Sequence, residues 1–162
     1  MRSNSDLQLR RSPVGAVRRP HSSQSGDVSR KTILIVEDNY DNRAIYAAIL
    51  GRAGYHVVEG RNGVEGVGLA IEHRPDLIIM DLSMPLLDGW GAIAALRDDA
   101  RTASIPVLAL SAHVVLDGDY RRSQEAGFAA YLTKPIEPKD VLHEIVSRIG
   151  PARPEPMVEQ EG

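Results

Sequence analysis

The chain has 162 residues, no cysteine and a formal net charge of −3 at pH 7. The lack of cysteine excludes disulfide bonds and thiolate metal sites, and no apolar run reaches the ~18 residues of a membrane-spanning helix. The N-terminus also lacks the apolar core of a secretory signal, so we expect a cytoplasmic protein with no membrane partner.

Charge is distributed unevenly along the chain. Residues 1–31 carry seven Lys or Arg and two Asp or Glu, whereas residues 32–150 carry eleven and seventeen. Residues 1–30 are rich in Ser, Arg, Gly and Pro without apolar periodicity, which predicts a disordered basic tail. Such a tail is either a solvated leader or a weak electrostatic attachment to an acidic partner or nucleic acid. The Pro- and Glu-rich residues 150–162 predict a second disordered, acidic tail.

Between the tails, short apolar runs alternate with patterns of helical period. In chain order, the apolar runs predict strands at 32–36, 55–60, 76–80, 105–111 and 129–133. The helical patterns run from about 40 to 54, from 62 to 73, from 90 to 98 and from 137 to 148. A further helical pattern follows the fourth strand and ends before Gly127. This alternation predicts an α/β domain, (βα)₅, with a parallel sheet and helices on both faces. The near-continuous apolar strands fit burial on both faces.

The first two helices carry recognisable local signals. In the first helix, Ile45, Ile49 and Leu50 share a face, which predicts its apolar side. Gly54 is placed to end this helix in a left-handed conformation, and Asn62 is placed to cap the start of the second.

Polar residues follow four of the predicted strands. Glu37 and Asp38 follow the first strand, Asp81 the third, Ser111 ends the fourth, and Lys134 follows the fifth. Each has a simple structural explanation, such as a helix-dipole partner, a cap or a surface amine. In doubly wound sheets, however, the functional site lies beyond the carboxyl ends of the strands. We therefore expect these side chains to converge at one edge.

The chemistry of such a cluster points to phosphoryl transfer. Three carboxylates repel one another unless a cation joins them, and oxygen ligands of this kind suit Mg²⁺. An ionised Asp81 can attack phosphorus and form an aspartyl phosphate. The hydroxyl of Ser111 and the ammonium of Lys134 can then bind the phosphoryl oxygens.

Four segments carry a family resemblance, namely ILIVEDN, DLIIMDLSMPLLDGW, VLALSAH and AYLTKPI. In order and spacing they resemble the signatures of bacterial response regulator receiver domains, over about residues 31–149. The resemblance implies a flavodoxin-like fold with strand order 2-1-3-4-5. It further implies phosphorylation by a histidine kinase or a histidine phosphotransfer protein.

The resemblance also assigns roles to individual residues. It makes Asp81 the phosphoacceptor and places Mg²⁺, with Mn²⁺ as the alternative, on Asp38, Asp81, the Ser83 carbonyl and, through water, Glu37. It gives phosphoryl binding to Ser111 and Lys134, and a switch to Ser111 and Tyr131. It implies that Pro85, Gly89 and Pro135 shape the loops beside the site, with a cis peptide bond before Pro135. Serine at position 111, where the family more often has threonine, keeps the donor and loses a methyl group.

About a dozen residues follow the last predicted helix, too few to fold alone. No nucleic-acid-binding motif is present, so we expect output through protein contacts of the last two helices and the fifth strand. The downstream target stays unidentified, and the sequence does not decide whether the receiver dimerises.

Three alternatives compete with this interpretation. An aspartyl-phosphate hydrolase usually has a second Asp two residues after the nucleophile, where this chain has Ser83. A flavodoxin-like cofactor site needs a neutral phosphate loop, whereas EDNYDN is acidic. A receiver that serves only as a scaffold would not need the full set of site residues.

Overall fold

The computed structural model describes residues 30–112 and 117–152. Its elements are β1 (Thr32–Val36), α1 (Tyr40–Arg52), β2 (His56–Gly60), α2 (Gly63–His73), β3 (Leu77–Asp81), α3 (Gly89–Asp98), β4 (Val107–Ser111), α4 (Asp117–Ala126), β5 (Ala130–Thr133) and α5 (Pro138–Ile149). Every predicted strand and helix is present, with ends that differ by one or two residues. The predicted tails, 1–30 and 150–162, lie outside the described residues apart from residue 30 and residues 150–152.

In the described part of the chain, one sheet contains five parallel strands in the order β2-β1-β3-β4-β5. This confirms the predicted flavodoxin-like order, in which crossovers on either side of β1 place helices on both faces. Asp81 of β3 pairs with Leu110 of β4, and Ser111 pairs with Thr133 of β5. The strands therefore end at nearly the same level, and the side chains that follow them meet at one edge.

Two apolar layers hold the helices on the sheet. One layer packs α2 and α3 on one face, and the other packs α1 and α5 on the opposite face. Strand β3 is buried along its whole length between them, so the acid at its end is held on a rigid support. None of the helices within the described ranges has the length and apolarity that a membrane span requires.

Helix α1 turns a different face to the sheet than the sequence predicts. Its buried residues follow the spacing of one helical face and are Arg43, Tyr46 and Leu50. Ile45 is instead 56% exposed, so the predicted apolar face that includes it is wrong. Arg43 is accommodated in the buried position because its Nη1 donates to the Glu37 carbonyl at 2.8 Å. Its Nε lies 3.3 Å from a carboxylate oxygen of Glu59.

Helix α2 lies close against β1 because it has a glycine at the contact. A Cβ added to Gly66 would lie 2.7 and 2.8 Å from the two methyl carbons of Val36. At Gly68, on the outer side of the same helix, an added Cβ would meet nothing within 4 Å. The helix begins as predicted, with Asn62 Oδ1 accepting from the Glu65 amide at 2.8 Å.

Helix α4 is polar almost throughout. Its sequence, DGDYRRSQEA, contains no aliphatic side chain larger than alanine. Ser123 is buried, and the guanidinium of Arg122 lies 4.0 Å from the centroid of the Trp90 ring on α3. Trp90 in turn packs edge-on against Phe128, with ring centroids 5.6 Å apart. A cation–π contact therefore supplements the small apolar contribution of α4 to its own packing.

Candidate functional site

The side chains that follow β1, β3 and β5 converge at the carboxyl edge of the sheet. The Lys134 Nζ lies 3.1 Å from Asp81 Oδ2 and 3.2 Å from Glu37 Oε2. Carboxylate oxygens of Glu37, Asp38 and Asp81 all lie within 4.8 Å of one another. The predicted convergence of the acids and the amine is therefore present, and the Lys134–Pro135 peptide bond is cis, as predicted.

Two of the three acids are almost fully buried, and hydrogen bonds satisfy them. Glu37 is 1% and Asp81 5% exposed, whereas Asp38 is exposed. Glu37 Oε1 accepts from Asn42 Nδ2 at 3.1 Å. Asp81 Oδ1 accepts from the Ser83 backbone amide at 2.9 Å. Asp38 therefore faces solvent at the rim, and the other two acids line the floor.

Burial and mutual contact separate the acidities of the two buried carboxyls. Burial, aided by the hydrogen bond and negative charge of Asp81, raises the pKa of Glu37 to about 7. Burial also acts to raise the pKa of Asp81. Hydrogen bonds from Glu37, from the Ser83 amide and from Lys134 outweigh it and hold this pKa below its usual value. Near neutral pH, Asp81 is therefore ionised while Glu37 retains a proton for much of the time.

Lys134 provides the positive charge in this group. Burial alone would lower the pKa of Lys134, but the hydrogen bond and charge of Asp81 and the charge of Glu37 raise it. Its ammonium is therefore permanently charged near neutral pH and opposes one of the two buried carboxylates. The second buried carboxyl, that of Glu37, is therefore more stable with a proton bound.

This arrangement fits a hard divalent cation. The donors of Glu37, Asp38 and Asp81 are all oxygens, which Mg²⁺ prefers, and the cluster is open to solvent at Asp38. A cation would also replace the proton that the crowded carboxyls otherwise require. The residues present therefore fit the metal that the sequence predicts.

The loop from β3 to α3 is shaped by a close backbone approach. A Cβ added to Gly89 would lie 2.6 Å from the Asp81 carbonyl oxygen and 2.7 Å from the Leu82 Cα. Only glycine fits there without a shift of the backbone beside the buried acid. Leu86, at the tip of the loop, has φ 69° and is 84% exposed, while Ser83 and Pro85 are exposed.

Ser111 and Tyr131 lie on one cavity beside this loop. The cavity has a volume of about 240 Å³, and its walls include Ser83, Ser111, Tyr131, Trp90 and Arg122. Ser111 is buried at the end of β4, and its carbonyl accepts from the Lys134 amide at 2.7 Å. The two predicted switch residues are thus brought to the same space, next to the loop that follows Asp81.

Three polar residues at the site were not predicted from the sequence. Asn42 donates to the Glu37 side chain, and Arg43 binds the Glu37 backbone carbonyl. Arg122 lies over the Trp90 ring, and both residues line the 240 Å³ cavity. Arg43, Tyr46 and Leu50 have the spacing of one helical face, but no local pattern indicates Glu59 as the charge partner of Arg43 or Trp90 as the contact of Arg122.

Comparison with known proteins assigns this geometry to a family. The profile of the response regulator receiver domain matches residues 33–146. The polar-differentiation response regulator DivK of Brucella anthropi is 38% identical over 122 residues, which are 75% of this chain and 98% of that protein. The DivK protein of Brucella ovis is 37% identical over the same length and coverage.

Solved structures agree with this match. The chemotaxis protein CheY4 of Vibrio cholerae superposes with a TM-score of 0.70 at 26% identity, covering 74% of this chain and 99% of that one. The receiver domain of the Pseudomonas aeruginosa sensor histidine kinase PA1611 gives 0.69 at 33% identity, covering 76% and 99%. That structure is described as having a magnesium ion coordinated in the active site cleft. The chain therefore belongs to the response regulator receiver domain family.

Proposed function

We propose that the chain is a single-domain response regulator whose Asp81 accepts a phosphoryl group from a histidine kinase or a histidine phosphotransfer protein. The observation that carries this proposal is a buried, ionised Asp81 paired with Lys134 at the end of a rigid strand. An oxygen of Asp81 attacks phosphorus, and the bond from phosphorus to the donor breaks. The donor leaves with the electron pair, and the product is an acyl phosphate on Asp81.

The remaining residues of the site stabilise this transfer. Asp38, Asp81 and the Ser83 carbonyl would hold Mg²⁺, or Mn²⁺ in its place, with Glu37 in support. When bound, the ion supplies positive charge that offsets the charge of the carboxylates and the phosphoryl oxygens. Lys134, already beside Asp81, would pair with one phosphoryl oxygen, and Ser111 would donate to another.

Output would run through protein contacts made by α4, β5 and α5. Ser111 and Tyr131 share the cavity beside the phosphoacceptor loop, which supports a link from the site to β5. Tyr120 on α4 and Val146 on α5 are large, exposed side chains available to a partner. The phosphoryl group would shift the population of two states through contacts made in only one of them.

Two further proposals follow from the same assignment. We propose that residues 31–149 suffice for phosphorylation, because every site residue lies between Glu37 and Lys134. We also propose that the protein acts in the cytoplasm as a switch, catalysing only its own phosphorylation and dephosphorylation. The downstream partner would be a protein, and neither a membrane nor nucleic acid is required.

The test is phosphorylation of the full chain by acetyl phosphate, followed by intact-mass spectrometry. With Mg²⁺ we expect addition of one phosphoryl group, and with excess EDTA we expect none. Asp81→Asn should not be modified. Asp88→Asn is the matched control, since Asp88 lies in the same loop and asparagine caps a helix as well as aspartate does.

Three outcomes would overturn the proposal. Equal phosphoryl uptake by Asp81→Asn and the native chain would place the acceptor elsewhere. No uptake by the native chain, in protein shown separately to be folded and to bind Mg²⁺, would favour a receiver that serves as a scaffold. Continuous release of phosphate from a stable phosphomonoester would instead favour a hydrolase.

A further inference from the structure

A groove of about 470 Å³ lies between α1 and the connection from β5 to α5. Its walls are largely apolar and include Ile45, Tyr46, Ile49, Pro135, Ile136 and Pro138. Ile45 leaves more than half of its surface exposed here. Full burial of a side chain of this size contributes roughly 1.5–3 kcal/mol, so the groove favours an apolar occupant.

We propose that the groove is covered by the C-terminal segment of the same chain, residues 153–162, with Met157 and Val158 packed against Ile45 and Ile49. The segment itself lies outside the described residues. Its sequence, RPEPMVEQEG, begins with Arg153 and then contains one apolar pair among proline, acidic and amide residues. This proposal does not depend on phosphorylation of the site.

The segment starts close enough to the groove to reach it. The last described residue, Ala152, is buried, and its Cβ would lie 3.2 Å from a Cβ added to Gly54. Gly54 follows the C-terminal end of α1, so Ile49 and Ile45 lie about 7 and 14 Å away along the helix axis. Met157 is five residues beyond Ala152, and five extended residues span up to about 17 Å. The segment is therefore long enough for the apolar pair to reach both isoleucines.

The order of charged and apolar groups also matches. Arg52 lies three residues after Ile49 and seven after Ile45, so the three share one helical face. Arg52 is exposed in the last turn of α1, nearest to where the segment starts. Along the segment, Glu155 likewise comes before Met157. A surface ion pair contributes at most about 1 kcal/mol, so this match sets the register more than the strength of docking.

A short tether makes such weak contacts effective. A segment attached beside its own binding site experiences an effective concentration on the order of millimolar. Lys134 lines the groove and also contacts Asp81, so the groove adjoins the acidic site. A protein that approaches along α1 would have to displace the segment. Phosphorylation by a small donor should be unaffected.

Paramagnetic relaxation enhancement tests this contact directly. The chain has no cysteine, so Gln160→Cys gives a single site for a nitroxide label near the apolar pair. In the ¹⁵N-labelled full chain, we expect amides of residues 42–49 and 134–138 to lose more than half of their peak intensity. Amides of α2, on the opposite face of the sheet, should keep theirs.

Matched variants separate docking from random motion of a tethered label. Met157→Ser with Val158→Ser in the labelled chain should restore the α1 intensities, while the fold is untouched. Arg52→Glu should weaken the effect, and Glu155→Arg in the same chain should recover it. The rate of phosphorylation by acetyl phosphate should be the same in the full chain and in a chain that ends at residue 152.

Three outcomes would overturn the proposal. The first is equal broadening in the native and the doubly substituted segments, which would mean that the label samples the surface without docking. The second is broadening centred on a face other than that of α1. The third is broadening that appears in a mixture of nitroxide-labelled ¹⁴N chain and unlabelled ¹⁵N chain, because a second copy would then be the occupant.

Discussion

Replacing Glu37 with glutamine should remove a large part of the pH dependence of stability. The pKa of Glu37 is raised to about 7 in the folded protein, from an ordinary value of 4.5. The folded state therefore binds this proton more tightly than the unfolded state does. The resulting stability is fully present below about pH 4.5 and is lost as the pH rises through about 7.

The size of the effect follows from the shift. Each pKa unit corresponds to about 1.4 kcal/mol, so a rise from 4.5 to about 7 gives about 3 kcal/mol. Asp81 has its pKa lowered, so its contribution is lost only as the pH falls below its ordinary value of 3.8. The two pH windows do not overlap. Glutamine does not titrate and keeps the carbonyl oxygen that accepts from Asn42.

The assay is urea unfolding in EDTA at about pH 5 and about pH 8, on the native chain and Glu37→Gln, with stability taken from linear extrapolation. Between these pH values, the native chain should lose about 2.5 kcal/mol relative to the variant, because Glu37 of the unfolded chain is already largely ionised at pH 5 and other titrating groups cancel in the difference. Saturating Mg²⁺ should restore more stability to the native chain at the higher pH. The same difference in free energy of unfolding between the two proteins at both pH values would refute the raised pKa of Glu37.

Three other predictions concern packing and the site. Gly66→Ala should destabilise the protein by about 1–3 kcal/mol, because its Cβ would overlap Val36, whereas Gly68→Ala should stabilise it by about 0.5–1 kcal/mol in the same unfolding assay. Leu86→Gly should raise the free energy of unfolding by about 1 kcal/mol by relieving a left-handed φ at an exposed side chain, and an unchanged or lower value would contradict this. Mg²⁺ should change the fluorescence of Trp90, which lines the cavity beside the phosphoacceptor loop; a flat titration in protein that binds Mg²⁺ would show that the ring does not sense the site.

Much of the site could be predicted because the topology places it. In a parallel sheet, residues that follow successive strands are forced to one edge, so Glu37, Asp81 and Lys134 could be grouped without knowledge of any contact. The order of the elements could be predicted as well, because apolar strand runs and the glycine and asparagine signals at helix ends are each local in the sequence.

What could not be predicted depends on partners that are distant in sequence. Arg43 takes a buried position on α1 because Glu59, on another strand, supplies a charge, and Ile45 is left outside. The stack of Arg122 on Trp90 joins residues on different helices with no shared local pattern. The proton on Glu37 likewise follows from burial and crowding, which only the assembled edge of the sheet creates.

The polar composition of α4 determines how readily this helix can move. Detaching a typical amphipathic helix from its domain exposes several aliphatic side chains to water. The free-energy cost is about 25 cal/mol for each Å² of apolar surface exposed. Helix α4 has almost no such surface to expose, so its local opening requires far less free energy than global unfolding. A change of one or two hydrogen bonds at the neighbouring cavity, worth about 1 kcal/mol each, is then enough to alter its population of positions severalfold. Helix α4 can therefore change position at a small cost in free energy, and its amides should be among the first to exchange with deuterium.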